Sequence, residues 1–188
     1  MGNEYDTRSF SMVEAEEQII ERVKRGESSA FSALYTAYVG KIYRFIALKV
    51  SSVQEAEDLT HEVFLKALSN IRKYEKRGAS FTSWLYEIAR NKVIDHYRTK
   101  KVNVGLEVID AEIVSEDVPL TQTLDNEFQN ERVRQAILAL PEEYQTVLIL
   151  QFTEDLSPKE IAKIVGKSEG SIRVTQHRAL ERLKQLLK

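Results

Sequence analysis

Apolar residues recur with helical spacing along most of the chain, separated by residues that begin or end helices. A first segment covers about residues 14–25 and stops at Gly26. A second runs from Ser28 or Ser29 to Val50 and carries apolar side chains around much of its surface. This distribution predicts a helix at the centre of a bundle rather than one with a single buried stripe.

Two further helices are predicted before the pattern changes. Ser52 and Glu55 have the spacing of a capping box, which begins a helix that extends to about Tyr74. Another helix is predicted over about 81–99. Residues 102–130 then lack helical periodicity at first, which predicts a linker between two domains.

Four helices are predicted in the C-terminal part of the chain. One resumes near Asp125, and the next begins at Pro141 in the apolar segment PEEYQTVLILQF. The last two lie on either side of Gly166, a residue that readily ends a helix in the left-handed conformation. Two helices joined by such a tight turn predict a helix-turn-helix, a motif that places its second helix in the DNA major groove.

Capping residues support this helix-turn-helix. Ser157 and Glu160 form a capping box, and Pro158 occupies the first helical position. Ser168 caps the second helix, which is predicted to run to about Leu187. The apolar positions of this second helix are Ile172, Ala179, Leu183 and Leu186.

The predicted fold is all-α, with two small helical domains joined by an acidic linker and a helix-turn-helix in the C-terminal domain. The predicted boundaries are 1–17 for a polar extension, 18–101 for the first domain, 102–130 for the linker and 131–188 for the second domain. With only three Pro and seven Gly in 188 residues, the composition also favours helix.

The distribution of charge changes the meaning of the net charge of −2. Residues 102–130 hold seven acidic and no basic side chains, whereas residues 1–101 have a net charge of +3 and residues 131–188 of +2. Like charges without counter-charges favour an extended chain. The segment is either a solvated tether or an acidic strand that docks where nucleic acid would bind, and both interpretations stay open.

Composition excludes several function classes. The chain has no Cys, which excludes disulfides, thiol catalysis and Cys-ligated zinc. No apolar run approaches membrane-spanning length, and the polar N-terminus does not resemble a signal peptide, so we expect a cytoplasmic protein without membrane insertion. His61, His96 and Asp95 are the candidate metal ligands, but no catalytic motif accompanies them. No catalytic residue, metal or cofactor is predicted.

Two other surfaces carry candidate binding chemistry. Asp58, His61, Glu62 and Leu65 share one face of the third predicted helix, where Leu65 is either an ordinary exposed residue or part of a protein-docking face. Residues 66–101 have a net charge of +7 and contain several aromatic rings. Basic and aromatic side chains together are typical of surfaces that bind unpaired nucleic acid strands.

In its order of motifs the chain resembles bacterial RNA polymerase sigma factors of the extracytoplasmic-function group. The segment DLTHEVF (58–64) resembles the family's core-polymerase motif, and FTSWLYEIARNKVIDHYR (81–98) resembles its −10-reading and melting helix. The segments LPEEYQTVLIL (140–150) and SPKEIAKIVGKSEGSIRVTQHRAL (157–180) resemble its −35-binding domain. Each motif alone is weak, but the three in this order are specific.

The resemblance implies roles for named residues. It implies that Asp58, Leu59 and Phe64 lie in the polymerase-binding helix, to which the face described above adds His61, Glu62 and Leu65. It implies −10 contacts from Asn91, Asp95 and Arg98, and the basic and aromatic segment before them adds Lys76, Arg77, Ser80, Tyr86 and Arg90 as predicted −10 residues. It implies −35 contacts from Glu169, Arg173, His177 and Arg178, and the start and outward face of the same predicted helix add Ser168, Ser171 and Val174.

The chain departs from the family pattern at three positions. His61 stands where the family usually has Gln, and Val174 and Thr175 stand where it usually has a small polar residue and Arg. The loss of a basic residue at position 175 puts one phosphate contact in question.

The resemblance implies a specificity subunit that directs core RNA polymerase to promoters under stress or envelope control. Its partners would be the clamp and flap regions of the polymerase, promoter DNA and an anti-sigma factor, although no residue identifies the last. The alternative is a helix-turn-helix regulator whose N-terminal bundle senses or dimerises. The aromatic and basic helix and the acidic linker favour the sigma factor, because a regulator that binds only duplex DNA needs neither.

Overall fold

The structure is a computed structural model, and it describes residues 16–75, 80–103 and 131–188. Within these ranges every regular element is helical, which confirms the predicted all-α class. The helices are α1 (16–24), α2 (Phe31–Ala47), α3 (Val53–Asn70), α4 (Phe81–Asn103), α5 (Glu131–Leu138), α6 (Glu142–Phe152), α7 (Pro158–Val165) and α8 (Glu169–Leu186).

Some predictions fall outside the described residues. These are Lys76 and Arg77, residues 1–15 of the polar extension and residues 104–130 of the linker. Helix α4 continues through Asn103, so regular helix extends slightly into the segment that the sequence assigned to the linker.

The caps of the helix-turn-helix are those that the sequence predicts. The Ser157 hydroxyl and the Glu160 carboxylate each accept a backbone N–H of the other residue, which completes the capping box at the start of α7. Gly166 ends α7 with a φ of 72°, in the left-handed region that glycine tolerates best. Ser168 Oγ accepts the N–H of Ser171 at 3.2 Å and begins α8.

Two helices of the N-terminal half end earlier than predicted. Helix α2 stops at Ala47, short of Val50, and α3 stops at Asn70, short of Tyr74. At the start of α3, the Ser52 hydroxyl accepts the N–H of Glu55 at 3.1 Å. The Glu55 carboxylate, however, accepts a hydrogen bond from the Ser51 hydroxyl at 3.0 Å. It also lies 3.0 Å from Lys100 Nζ. The Ser51 hydroxyl and the Lys100 cation therefore hold the Glu55 carboxylate, which would complete the predicted capping box at Ser52.

Helix α2 contacts both α3 and α4, which also contact each other. Its side at Ser32, Thr36 and Gly40 is exposed, so α2 is one of three packed helices and not the centre of the bundle as predicted. Phe45 and Ile46 in its last turns are completely buried. Phe64 of α3 packs edge-on against Tyr35 of α2, with ring centroids 4.8 Å apart. Buried aromatic pairs of this kind supply both apolar burial and a preferred ring geometry.

The C-terminal half is built around the packing of α6 on α7 and α8. Ile149 and Leu150 of α6, Ile161 of α7 and Ile172 of α8 are all completely buried. Of the four apolar positions named for α8, Ile172 and Ala179 are completely buried, whereas Leu186 is 37% exposed. Helix α8 has 18 residues and α6 has 11, so the last turn of α8 extends beyond the helix that covers the rest of it.

The two halves pack directly against each other. Buried residues of both halves belong to one continuous apolar cluster, and α4 lies against α7. The sequence predicted two domains without specifying how they are placed. Their packing decides which predicted binding residues reach the surface.

Candidate polymerase and nucleic-acid interfaces

The predicted polymerase-binding motif on α3 divides into an outer and an inner face. Asp58, His61, Glu62 and Leu65 are exposed, and we call these four residues the outer stripe of α3. Leu59 and Phe64 are 6% and 3% exposed and pack into the bundle core. The prediction that all six residues touch a partner is therefore wrong for Leu59 and Phe64 in this conformation, because helical periodicity turns these two side chains inward.

Leu65 is the most prominent apolar group of the outer stripe. Its side chain is 65% exposed, the largest exposure among the large apolar residues that the structure describes, and Leu68 beside it is 36% exposed. Carboxylates flank these leucines, and Glu62 forms an ion pair with Lys92 Nζ at 2.7 Å. The His61 ring is stacked near Tyr35, with centroids 6.5 Å apart. An apolar contact with a polar rim is the usual composition of a protein-docking surface.

On α4, three of the predicted −10 residues share an exposed face. Asn91, Asp95 and Arg98 are spaced by four and three residues, which brings them to one side of the helix. All three are exposed, and we call them the exposed stripe of α4. An amide, a carboxylate and a guanidinium on one face can donate to and accept from base edges and phosphates.

Tyr86, which is predicted to contact the −10 strand, is 1% exposed and does not reach the surface in this structure. Its ring packs edge-on against Phe45, with centroids 5.4 Å apart. Its hydroxyl group lies near Glu154 of the C-terminal half; burial and that carboxylate raise the pKa of Tyr86. Tyr97, three turns later on α4, is half-buried and donates a hydrogen bond to the carbonyl oxygen of Lys49 at 2.6 Å.

The start of α4 rests on a cluster of aromatic rings. Tyr74, Phe81 and Trp84 contact one another, with centroid distances between 5.2 and 5.6 Å. Ser80 Oγ accepts the N–H of Ser83 at 3.1 Å and so acts as a cap at the helix start. Ser80 is exposed. The three rings fix the start of α4 against the end of the segment that follows α3.

The exposed face of the recognition helix α8 carries most of the predicted −35 residues. Arg173, Val174, His177 and Arg178 are exposed, and Val174 is 50% exposed. Arg173 Nη2 lies 2.7 Å from the carboxylate of Glu169, one turn earlier. The Ser168 hydroxyl group is engaged in the helix cap, where it accepts the backbone N–H of Ser171.

Position 175 faces the protein interior. Thr175 is 7% exposed, and its hydroxyl group donates to Glu143 Oε1 at 3.3 Å. The same carboxylate of α6 accepts two hydrogen bonds from Lys167 Nζ, each 2.7 Å long. Glu143 therefore links α6 to the turn of the helix-turn-helix and to α8, and the absence of a basic residue at position 175 removes nothing from the exposed face of α8.

Sequence reasoning missed a charged cluster between the two halves. Lys49 follows α2 and is 1% exposed. Its Nζ lies 3.1 Å from Glu142 Oε1 and also donates to the Thr146 hydroxyl group, while Arg90 Nη2 lies 3.5 Å from Glu142 Oε2. Burial lowers the pKa of Lys49 to about 8, against the opposing effect of Glu142. Burial raises the pKa of Glu142, but Lys49, Thr146 and Arg90 outweigh burial and leave that pKa below its usual value.

A second charged contact lies beside Tyr86. Arg44 Nη1 is 3.9 Å from Glu154 Oε1, and the Glu154 side chain is only 4% exposed. Burial raises the pKa of Glu154, although Tyr86 and Arg44 oppose the shift. The sequence signal for these contacts was slight, since Lys49 and Glu154 belong to no motif and periodicity does not predict which surfaces of two domains meet.

The candidate metal ligands of the sequence do not form a cation site. His96 Nε2 lies 3.5 Å from Glu55, and His61 is stacked near Tyr35. In the parts of the chain that the structure describes, no three His, Asp or Glu side chains are grouped in a way that could hold a metal ion. None of the helices described is long and apolar enough to cross a bilayer.

Comparisons with known proteins identify two regions of the chain. Residues 34–102 match the family described as Sigma-70 region 2, and residues 130–183 match the family described as Sigma-70, region 4. The first match assigns the N-terminal bundle to a sigma region, against the alternative of a sensing or dimerising bundle.

Full-length relatives extend this result. The chain is 36% identical to the ECF RNA polymerase sigma factor BldN of Streptomyces coelicolor, over 97% of this chain and 68% of that protein. It is 33% identical to the ECF RNA polymerase sigma factor SigW of Bacillus subtilis, over 90% of this chain and 95% of that protein.

Solved structures share the fold. The sigma factor RpoE of Bartonella quintana, in a complex with the anti-sigma factor NepR, superposes with a TM-score of 0.69 at 23% identity, covering 84% of this chain and 96% of RpoE. CnrH, in a complex with the cytosolic domain of CnrY, superposes with a TM-score of 0.68 at 18% identity, covering 90% and 94%. With its two matching regions and its relatives along nearly the whole chain, the protein belongs to the extracytoplasmic-function group of the sigma-70 family and acts in transcription initiation.

Proposed function

We propose that three separate surfaces divide the work of this sigma factor. The outer stripe of α3 binds the clamp region of core RNA polymerase. The exposed stripe of α4, with the turn at 76–80, binds the unpaired −10 strand, and the exposed face of α8 binds the −35 duplex. The observation that carries this assignment is the exposure of Leu65, Asn91 and Arg173 on three different helices, with Leu65 directly after the first sequence motif and the other two within theirs.

The chemistry of each surface suits its proposed ligand. Leu65 offers an apolar contact for a protein partner, while Arg173 and Arg178 offer donors for base edges and phosphates. Beside the α4 stripe, the aromatic cluster under Ser80 supports a turn that would hold a flipped base. The protein is proposed to work in the cytoplasm as a non-catalytic subunit that leaves bond formation to the polymerase.

The direct test is run-off transcription with purified core RNA polymerase on a library of random promoters. Transcripts that start downstream of one enriched pair of −10 and −35 sequences would support the proposal. The protein should also co-purify with core polymerase when the two are mixed. A protein that binds library duplexes but neither co-purifies with core polymerase nor yields transcripts would refute the sigma assignment.

The acidic segment 102–130 is proposed to occupy a channel that nucleic acid uses in the polymerase. Its seven carboxylates would replace a nucleic acid backbone in a basic channel, and in the free protein they would repel nonspecific DNA. Replacing all seven by Asn or Gln should raise the affinity for nonspecific DNA and lower the run-off yield. Both effects should shrink near 1 M salt, where the Debye length is about 3 Å. Unchanged affinity and yield at low salt would leave a solvated tether as the better interpretation.

An anti-sigma factor is proposed as a further partner. The similar sigma factor RpoE is bound to the anti-sigma factor NepR, and the similar protein CnrH is bound to the cytosolic domain of CnrY. A protein that co-purifies with the tagged chain, and whose addition stops run-off transcription, would be such a partner. This partner would also connect the chain to a stress or envelope signal.

A further inference from the structure

Three basic side chains of the N-terminal half are grouped on one side of the bundle, where α2 and α4 meet. They are Arg44, Lys49 and Arg90, and we call them the basic recess. Each faces a carboxylate of the C-terminal half: Arg44 faces Glu154, whereas Lys49 and Arg90 face Glu142.

The basic recess is adjacent to the proposed −10 surface on the same helix. Arg90 precedes Asn91 of the exposed stripe of α4, and Tyr86 lies one turn before Arg90. In this structure, the C-terminal half faces Tyr86 and Arg90 through Glu154 and Glu142. A DNA strand that follows α4 would reach these residues only after the two halves separate.

The charges between the halves are poorly suited to a permanent interface. Lys49 is desolvated, which lowers its pKa, and the ion pair between Arg44 and the buried Glu154 is long at 3.9 Å. Desolvation of ion pairs costs free energy that apolar residues of similar volume would not cost. Charged residues are better suited to a surface that is also exposed to water or to another charged ligand.

We propose that Arg44, Lys49 and Arg90 form a phosphate-binding surface for the unpaired promoter strand, and that Glu142 and Glu154 cover it in the free protein. The proposal rests on the assignment of α4 to the −10 strand and adds Arg44 and Lys49 to that site. Carboxylates and phosphates compete for the same cations. The apparent affinity of the free protein for single-stranded DNA is therefore reduced by the fraction of molecules that are closed.

The chain offers a matched pair of variants for a test. E142Q/E154Q removes the two carboxylates that face the basic recess. The control variant E143Q/D155N removes the two carboxylates that follow them in the sequence. Glu143 contacts Lys167 and Thr175 within the C-terminal half, and Asp155 is exposed. Asp155 has a φ of 55°, a conformation that Asn accepts readily, so the control adds no backbone strain.

Two measurements report separately on closure and on DNA binding. The chain has no native Cys, so S69C/Q185C places one dye on an exposed position of each half for energy transfer. Fluorescence anisotropy with a labelled oligo-dT of about 20 nucleotides, a length above the site sizes of typical single-strand binders, measures binding of an unpaired strand. We expect E142Q/E154Q to lose energy transfer and to bind the oligonucleotide at least threefold more tightly, whereas E143Q/D155N should match the wild-type protein.

A third variant tests the basic recess itself. Adding R44Q to E142Q/E154Q should weaken oligonucleotide binding at least threefold. The slope of log affinity against log salt should fall by an amount that corresponds to about one phosphate contact. Energy transfer should not change further. If E142Q/E154Q separates the halves without tighter binding, or if R44Q has no effect on binding, the recess is not a phosphate site. If the wild-type protein already shows the low energy transfer of E142Q/E154Q, the cover does not exist in solution.

Run-off transcription distinguishes this proposal from the sigma assignment. With saturating core polymerase, E142Q/E154Q should retain run-off activity, because the polymerase holds the two halves apart. If the wild-type protein itself gives no run-off with core polymerase, the assigned function fails, whatever the energy transfer shows.

Discussion

At the residue scale, neighbouring positions on α4 and α8 have different exposure and therefore different expected roles. Asn91 is exposed, while Arg90 immediately before it faces Glu142. Position 175 is buried against Glu143, whereas Arg173 and Val174 are exposed. Sequence periodicity predicted the exposed residues Asn91, Arg173 and Val174. It did not predict that Arg90 and Thr175 face inward, because their burial depends on α6, which covers them.

Asn91 is the residue that we expect to discriminate bases in the −10 strand. Its amide can both donate and accept, and it is exposed in the closed protein. N91A should reduce opening of the −10 region in permanganate footprinting while leaving the free energy of unfolding within about 0.5 kcal/mol of wild type, as is usual for surface changes. T99A, an exposed polar truncation two turns later on α4, is the control and should open the promoter normally. Normal opening by N91A would remove this residue from the site.

Arg173 and Arg178 should differ in what they recognise. Arg173 lies in the second turn of α8, in the part of a recognition helix that approaches base edges. Arg178 lies further along, where phosphate contact is expected. R173A should change which −35 sequence is preferred, and R178A should weaken all sequences equally and reduce the salt dependence of binding. Identical selection profiles for the two variants in a −35 library would contradict this division.

At the element scale, the helices and their ends were largely predictable, because caps are local. Ser157, Gly166 and Ser168 determine the helix-turn-helix through contacts within a few residues. The Ser52 cap was predicted only in part, since Lys100 on α4 lies 3.0 Å from Glu55. Interactions between distant elements explain both this miss and the burial of Tyr86.

The outer stripe of α3 is expected to bind core polymerase, and a substitution at Leu65 tests this. L65K replaces an exposed apolar side chain by a cation in the middle of the proposed polymerase contact. It should weaken binding to core polymerase by more than about 1 kcal/mol, the usual cost of losing a central interface contact. The fold should be unaffected, because Leu65 is 65% exposed.

A matched control exists on another helix. V174K makes a similar change at a residue that is 50% exposed on α8. It should leave core binding unchanged in the same pull-down titration and alter only −35 recognition. Equal core affinity for L65K and wild type would make Leu65 a bystander.

At the scale of the whole molecule, the sequence predicted two helical domains, and the structure places them in contact through one continuous core. This placement could not be predicted, since the apolar residues of α7 that meet α4 have the same helical spacing as residues buried within one domain. Lys49 shows the difficulty most clearly. A lysine after an apolar helix normally reaches solvent, whereas this one is buried by α6.

Burial of Lys49 gives the stability of the molecule a characteristic pH dependence. The pKa of Lys49 falls from 10.5 to about 8 on folding, chiefly through burial, with Glu142 opposing the shift and Arg90 adding to it. Between these two pH values the unfolded chain holds a proton that the folded protein has lost. The Lys49 contribution to the free energy of unfolding therefore rises as pH increases through this window, by at most about 1.4 kcal/mol per pH unit.

K49M isolates this contribution, because Met fills a similar volume without a titrating group. Urea unfolding of wild type and K49M at pH 7, 8, 9 and 9.5 should show the wild-type free energy of unfolding rising relative to that of K49M above pH 8. Subtracting the variant cancels the tyrosines, whose raised pKa values, about 12 for Tyr38, have the opposite effect at higher pH. Below pH 8 the difference should be flat until the carboxylates titrate. A difference that stays constant from pH 7 to 9.5 would mean that Lys49 is solvated, and that α6 does not cover it in solution.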